Sequence, residues 1–331
     1  WSCAPGETGN DGRSVVRIGM RPYVSYSPLF LTEARGFFDA HGIDVEFVTV
    51  QSGATSIPLL TTGQLDVLPT GVSPGMLRAV ALGERVRYVA SLGWLDPGGC
   101  APVTVVGRRG FVDGVPSSRG DGQLRVSMPR EPYLRYFVER AMSSLGLSVE
   151  ADSVEVVALS GGAELGALTT GAIDIGTLGT AQVVLGVEAN DLDVIGPMHE
   201  ILPGDQLSMI VFGPRLLDDD PDLGRRFMVA YLEGVRAYRE GKTPENVDAL
   251  AEFLGYPEDL IREMCWMSVQ DDGAPEIASL QKYGEWFVAR GWLDRAPGVE
   301  ETWDPSFVRF ANETARTDRD AGQARTVPRF R

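Results

Sequence analysis

The sequence predicts an α/β protein of two similar lobes, with two crossover strands between them and a C-terminal helical region. Two observations carry this prediction. Short apolar strand patterns alternate with helix patterns over much of the 331-residue chain, and one motif occurs twice at a constant spacing. Strand-helix-strand crossovers imply parallel strands. A chain of this length is long enough for two domains or for one two-lobed unit.

The first strand-helix-strand unit lies near the N-terminus. Residues 15–20 have the apolar character of a short strand, and residues 43–50 alternate between apolar and polar side chains. Between them, Ser27 and Pro28 predict a helix start, because serine is a favoured N-cap and proline fits the first helical position. The two strands are therefore expected to lie parallel.

A duplicated motif is the strongest feature of the sequence. The pattern Ser-Gly, then Leu-Thr-Thr-Gly, then Asp runs from Ser52 to Asp66 and again from Ser160 to Asp174. Equivalent residues are 108 positions apart throughout. Such self-similarity indicates an internal duplication, and two copies are too few for a solenoid. We interpret the recurring aspartates as structural residues.

The crossings between the lobes set the predicted domain boundaries. Residues 103–106 and 207–212 have the pattern of buried strands, and the residues after them are mostly helical. The predicted C-terminal helices are 221–240, 244–254, 257–265, 275–290 and 305–316. The predicted segments are a flexible tether (1–14), lobe 1 with the C-terminal helices (15–102 and 208–316), lobe 2 with the crossover segments (103–207) and a loose tail (317–331).

The charge excludes two classes of partner. The formal net charge is -16 and the isoelectric point is near 4.6. Nucleic-acid binding needs a basic face, and anionic lipid attracts basic segments, so neither is an expected partner. An anionic small ligand remains compatible with this charge, because local groups such as helix N-termini bind it.

The three cysteines suggest an exported protein without a zinc site. No Cys-x-x-Cys pair or Cys/His cluster occurs in the sequence. Cys3 precedes a polar, glycine-containing run and resembles the processed start of a bacterial lipoprotein, so lipidation and a frayed terminus are the two alternatives. Cys100 and Cys265 could pair in an exported protein, and their spacing alone leaves this open.

The candidate ligand site consists of loops that follow predicted strands. In open parallel sheets, ligands bind outside the carboxyl ends of the strands, where helix N-termini offer backbone N–H groups. Aromatic side chains there provide stacking faces, and Arg130 provides a fork for an anion or a salt-bridge partner for Glu131. We expect no catalytic residue, metal or cofactor. The candidates are Tyr23, Ser25, Tyr26, Ser52, Gly53, Ala54, Thr55, Thr70, Gly71, Ser73, Trp94, Arg130, Glu131, Gly161, Gly162, Glu164, Gly179, Thr180 and His199.

The sequence resembles a family of importer-associated binding proteins for alkanesulfonates, taurine, nitrate and thiamine-type pyrimidine precursors. The resemblance spans about residues 15–315. It implies the type II periplasmic-binding-protein clamshell fold, without fixing the ligand. The motifs that carry it are at residues 27–31, 34–38, 42–46, 52–66 and 161–174.

The resemblance implies an extracytoplasmic solute-binding protein of an ABC importer. Its expected partners are a small, polar or anionic, in some cases heteroaromatic ligand and the importer's permease subunits, and we expect a monomer. A membrane association is expected only through a lipid on Cys3. One alternative is an enzyme similar to a pyrimidine synthase of thiamine biosynthesis, whose cysteine-rich motif this sequence lacks. The other is a ligand-sensing module, which an attached signalling domain would indicate.

Overall fold

The structure is a computed structural model that describes residues 12–111, 123–129, 131–159 and 162–326. The described strands form two five-stranded mixed sheets. In chain order the strands are β1 (Ser14–Met20), β2 (Ile43–Thr49), β3 (Val67–Thr70), β4 (Arg87–Trp94), β5 (Val103–Gly107), β6 (Leu124–Ser127), β7 (Val154–Val157), β8 (Ile175–Gly179), β9 (Asp193–Pro197) and β10 (Gln206–Phe212).

Helices connect and cover the strands. In chain order they are α1 (Ser27–Ala34), α2 (Phe37–Ala40), α3 (Ile57–Thr61), α4 (Pro74–Ala81), α5 (Pro132–Ser144), α6 (Ala163–Thr169), α7 (Thr180–Gly186), α8 (Met198–Ile201), α9 (Pro221–Arg239), α10 (Pro244–Leu254), α11 (Glu258–Glu263), α12 (Ile277–Ala289), α13 (Val299–Thr302) and α14 (Ser306–Thr326). Short helical turns lie at Val24–Tyr26, Ala54–Ser56 and Arg215–Asp219.

The two sheets have the same topology, so the predicted α/β fold of two similar lobes is confirmed. The first has the order β2-β1-β3-β10-β4 and the second has the order β7-β6-β8-β5-β9. In the first, β10 runs antiparallel to β3 and β4, and in the second β5 runs antiparallel to β8 and β9. Each lobe's sheet thus contains one crossover strand. The duplicated motifs lead directly into β3 and β8, which belong to separate sheets, as a two-lobed duplication requires.

The repeated aspartates have the same structural role in both lobes. Asp66 Oδ2 accepts a hydrogen bond from the backbone N–H of Arg17 at 2.9 Å, and Asp174 Oδ2 accepts one from the backbone N–H of Arg125 at 2.9 Å. Both carboxylates are almost completely buried. Arg215 lies 3.2 Å from Asp66, which offsets the cost of burying that charge. The structural interpretation of the aspartates is confirmed.

Two local predictions differ from the structure. Ser27 is not an N-cap but lies inside α1, where its hydroxyl donates to the Val24 carbonyl oxygen at 2.6 Å. The C-terminal helix continues to Thr326, although a loose tail was expected from residue 317. Of the predicted tether at residues 1–14, residues 1–11 lie outside the described part of the chain, and residue 14 already begins β1.

The lobe cores are large and aromatic. In the first lobe, the Phe227 ring of α9 lies 4.9 Å from the Phe38 ring and 5.4 Å from the Phe212 ring of β10, measured between centroids. In the second lobe, Phe137 of α5 is fully buried over Val126 of β6 in a separate cluster. Apolar burial therefore stabilises both sheets.

A disulfide bond joins Cys100 and Cys265, which answers the pairing question that the sequence left open. Cys100 lies between β4 and the crossover strand β5, and Cys265 follows α11 in the C-terminal region. The bond therefore links the first crossing between the lobes to the helices that complete the first lobe. Within the described ranges, none of the helices has both the length and the apolar character that a membrane span requires.

We expect Asp66→Ala and Asp174→Ala each to lower the free energy of unfolding by about 3 kcal/mol, because each removes a buried charged acceptor and leaves its partners unsatisfied. Chemical denaturation of each variant measures the change. Asp44→Ala, at an exposed position on β2, is the matched control and should remain close to wild type. Equal stability of all three variants would contradict the structural role of the repeat.

Candidate ligand-binding site

The rims of the two lobes meet where the parallel strands end. Arg21, which follows β1, forms an ion pair with Glu131 at the start of α5, with 3.7 Å between the charged groups. Gly71, which follows β3, lies directly against the ring of Tyr133 in the first turn of α5. These contacts define the interlobe cleft, a term used below for the space between the first-lobe and second-lobe rim loops.

Tyrosines form the aromatic part of the first-lobe rim. Tyr23 is 37% exposed, its ring lies 5.8 Å from the Tyr26 ring in an edge-on arrangement, and the Arg21 guanidinium lies 4.5 Å from its centroid. Tyr26 is buried, and its hydroxyl donates to the Pro69 carbonyl oxygen at 3.0 Å. Burial raises the pKa of both phenols. Tyr23 is therefore the more accessible ring, and Tyr26 anchors the loop that also carries the half-buried Ser25.

The other two first-lobe loops are in direct contact. A Cβ atom on Gly53 would lie 2.3 Å from Thr70 Oγ1, so only glycine allows this approach. Ser52 Oγ accepts a hydrogen bond from the Thr55 backbone N–H at 3.1 Å, which closes the turn that contains Ala54. Ser73 is an N-cap: its Oγ accepts from the Met76 N–H at 3.3 Å at the start of α4. The polar groups of these loops are thus held in fixed positions beside the cleft.

A buried carboxyl group lies behind the second-lobe rim. Glu164, in the first turn of α6, is 3% exposed. Its carboxylate accepts hydrogen bonds from Ser127 Oγ and from Thr177 Oγ1, the latter at 3.0 Å. Burial raises the pKa of Glu164 to about 6, and the two hydroxyl donors oppose that shift. Glu131 lies close enough to raise the pKa further.

Several predicted residues have other contacts. Thr180 Oγ1 accepts the backbone N–H of Cys265 at 2.6 Å, and the neighbouring Gly179 N–H donates to Gln182 at the start of α7. Trp94 lies in a different place, a groove of about 680 Å³ on the first lobe that Tyr238 and Trp266 also line. Neither Thr180 nor Trp94 contributes its side chain to the rim contacts described above.

Of the remaining predicted residues, two are described by the structure and two are not. Gly162 is exposed at the start of α6, and a Cβ atom there would meet nothing within 4 Å. His199 is in α8, which packs against α5, and its buried Nδ1 has no hydrogen-bond partner among the described atoms. Arg130 and Gly161, like Cys3, lie outside the described residues.

Tyr133 is a cleft residue that was not among those predicted from the sequence. It belongs to the first turn of α5 and packs against the cores of both lobes. Burial raises its pKa strongly, and Tyr26 and Glu131 are among the neighbours that add to the shift. The one feature of the sequence that could have indicated Tyr133 is its position directly after Pro132, which begins the helix. Without the partner Gly71, that feature is indistinguishable from ordinary helix packing.

In the portion of the chain that the structure describes, no cluster of three or more His, Cys, Asp or Glu side chains could hold a metal ion. The described groups at the cleft are phenols, hydroxyls, carboxylates and the guanidinium of Arg21, together with closely packed glycines. This arrangement can stack on a flat molecule and exchange hydrogen bonds with its polar edge.

Comparison with known proteins agrees with this fold. Residues 24–99 match the sequence model of the NMT1/THI5-like family. A search of curated protein sequences finds no match. A ligand-binding component of an ABC-type import system from Staphylococcus aureus, solved with zinc bound, has a TM-score of 0.71 and 14% identity, over 90% of this chain and 98% of that one.

Two further solved structures are similar along most of the chain. The periplasmic nitrate-binding protein NrtA from Synechocystis PCC 6803 has a TM-score of 0.68 and 12% identity, over 93% of this chain and 90% of that one. The periplasmic aliphatic sulphonate-binding protein SsuA from Escherichia coli has a TM-score of 0.66 and 16% identity, over 88% and 92%. The chain thus has the type II periplasmic-binding-protein fold. The resemblance seen in the sequence is confirmed over residues 24–99, which carry the NMT1/THI5-like sequence pattern, and the solved structures extend the likeness of the fold to most of the chain.

The buried Glu164 should make stability depend on pH. Its raised pKa means that the folded protein holds this proton more tightly than the unfolded chain, so stability falls as pH rises from about 4.5 to about 6. We expect this group to account for a fall of about 2 kcal/mol, which is lost in Glu164→Gln. Denaturation between pH 4 and pH 7.5 tests this. The exposed Glu263→Gln is the control and should keep the wild-type slope, whereas an unchanged slope in Glu164→Gln would contradict the assignment.

Proposed function

We propose that the chain is a solute-binding protein that captures a small molecule in the interlobe cleft and delivers it to an ABC importer. One observation carries the proposal: rim loops of two duplicated lobes face each other across the cleft with tyrosines, hydroxyls and carboxylates. The structural neighbours support it, since one is a ligand-binding component of an ABC-type import system and two are periplasmic binding proteins for aliphatic sulphonates and for nitrate.

The proposed ligand is compact and flat, with a polar or anionic edge. Tyr23 supplies a partly exposed ring for stacking, and Ser52 and Thr55 supply hydroxyls at the same rim. From the second lobe, Glu131 offers a carboxylate beside Arg21. An anion would add contacts with Arg130 and the N–H groups around Gly161 and Gly162, as the sequence predicts. Together these groups favour a heteroaromatic ring that carries both donors and acceptors.

Capture is proposed to occur by closure of the lobes without chemical change. A ligand that contacts both rims binds the closed form more tightly, so it shifts the protein towards closure. The natural hinge is the pair of segments that connect the sheets, one between β4 and β5 and the other between β9 and β10. The importer would then recognise the closed surface, and nucleotide hydrolysis would belong to another subunit.

The proposed location is outside the cytoplasm, and the proposed functional unit is a monomer. The disulfide between Cys100 and Cys265 supports export, because such bonds persist in oxidising compartments. Lipidation of Cys3 would keep the protein at the membrane surface, near the permease subunits. The short run after Cys3 would then be the tether between the lipid and the first strand.

The ligand prediction is tested by native mass spectrometry of protein purified without refolding, followed by titration with the compound that co-purifies. We expect one small molecule, recovered chemically intact after long incubation. Tyr23→Ala should weaken its binding about fivefold, because aromatic stacking contributes about 1 kcal/mol beyond burial.

Phe310→Ala is the matched control, because Phe310 is similarly exposed (41%) but lies on α14. It should bind as the wild type does. Turnover of the bound molecule would refute the binding-protein proposal in favour of an enzyme. Equal affinities of wild type and Tyr23→Ala would show that Tyr23 does not contact the ligand, without contradicting the binding-protein proposal.

The anchor prediction is tested with the full precursor in a bacterial host that processes lipoproteins. Wild-type protein should sediment with membranes, and Cys3→Ala should move it to the soluble fraction, because the thiol is the site of lipid attachment. Thr8→Ala changes the same tether without touching the thiol, so it should remain with the membranes. Soluble wild-type protein would refute lipidation.

A further inference from the structure

Helix α5 of the second lobe carries two tyrosines that face the first lobe. Tyr133 and Tyr136 are three positions apart, so they lie on the same side of the helix. Both pack against the second-lobe core around Phe137, and both also pack against the first-lobe cluster around Leu68. They therefore bridge the cores of the two lobes.

The ring of Tyr133 packs against the backbone of Gly71. A Cβ atom built on Gly71 would lie 2.4 Å from Cδ1 and 2.5 Å from Cε1 of the Tyr133 ring, far inside van der Waals contact. The ring thus rests on backbone that only glycine leaves open. The same Cβ atom would lie 3.0 Å from the Leu207 carbonyl oxygen, which belongs to the first sheet and does not depend on the spacing of the lobes.

The ring of Tyr136 packs against two aromatic side chains on α12. The Tyr136 ring lies 5.3 Å from the Tyr283 ring and 5.2 Å from the Trp286 ring, both in edge-on geometry, which is the favoured arrangement for aromatic pairs. Tyr283 is fully buried, so this contact is continuous with the first-lobe core.

Charged groups flank the tyrosines. Arg290, directly after α12, pairs with Glu139 of α5 and with Glu150 beyond it. Both carboxylates belong to the second lobe. On the other side of Tyr133, the Arg21–Glu131 pair joins the rims. The α5 surface is thus fixed to the first lobe by aromatic contacts in the centre and by ion pairs at both ends.

We propose that α5 is a latch, in which Tyr133 on Gly71 and Tyr136 on α12 hold the two lobes together through the protein's own contacts. Closure then does not depend on ligand alone, because these contacts exist only while the lobes are apposed. Ligand adds to an equilibrium that the latch already biases towards the closed form.

A double-mutant cycle in small-angle X-ray scattering tests the latch on the ligand-stripped protein. Gly71→Ala should increase the radius of gyration, because the added methyl group overlaps the Tyr133 ring. Tyr133→Ala should increase it as well, because the contact is lost. The double variant should match Tyr133→Ala alone, since the methyl group then has no ring to displace. Circular dichroism checks that each variant is folded.

Gly166→Ala is the control, because it adds the same methyl group to an exposed position of α6 with nothing within 4 Å. It should leave the radius of gyration unchanged. The latch is refuted if Gly71→Ala behaves like Gly166→Ala, or if its effect persists in full when Tyr133 is already alanine. Because no ligand is used, neither result bears on the proposed binding function, which the ligand titration tests separately.

A second variant tests the latch where a core substitution unfolds the protein. Arg290→Gln removes both ion pairs to the second lobe and should also increase the radius of gyration. Arg295→Gln is its control, because Arg295 pairs with Glu301 within the first lobe. If Arg290→Gln, Arg295→Gln and wild type have the same radius of gyration, the ion pairs are not part of the latch. If Gly71→Ala also leaves the radius of gyration unchanged, the latch is refuted.

Discussion

The first sheet depends on a strand that returns from the second lobe. Strand β10 is fully buried and lies between β3 and β4, so the first sheet is continuous only after the chain has returned from the second lobe. Strand β5 occupies the equivalent place between β8 and β9. The backbone hydrogen bonds of the first sheet are therefore complete only after the chain has crossed to the second lobe and back. Each lobe has a core of its own, and Tyr133 and Tyr136 pack against both cores. Rotation about the two connecting segments is the large motion that this connectivity allows.

The same pairing places the rims opposite each other. Strands β1 and β3 end at the edge where β10 begins, and β6 and β8 end at the edge where β5 begins. Loops that follow the parallel strands of both lobes are thus directed to one cleft. Glycines at Gly53 and Gly71 allow these loops to approach within distances that any side chain would prevent. The rim is therefore close-packed and yet polar, which suits a small ligand.

Charge distribution in the cleft differs from the strongly negative charge of the chain as a whole. Arg21 is shared between Glu131 and the face of Tyr23, so the rim contains balanced charge and not a bare acidic surface. Glu164 lies deeper, and its raised pKa shows that burial dominates over its two hydroxyl donors. A ligand that reaches this region meets a carboxyl group whose protonation changes near pH 6. Affinity and protonation are expected to be coupled for that reason.

Local patterns and the duplication determined the fold by themselves. The βαβ spacing, the constant interval of 108 residues and the paired aspartates Asp66 and Asp174 are all visible in sequence, because each depends on neighbours along the chain or on an internal copy. The tertiary structure decided the contacts between distant segments. Cys100 bonds to Cys265 across 165 residues, and Tyr133 meets Gly71 across the cleft. No periodicity encodes such pairs, because they arise only when two lobes with separate cores are brought together by the crossover strands.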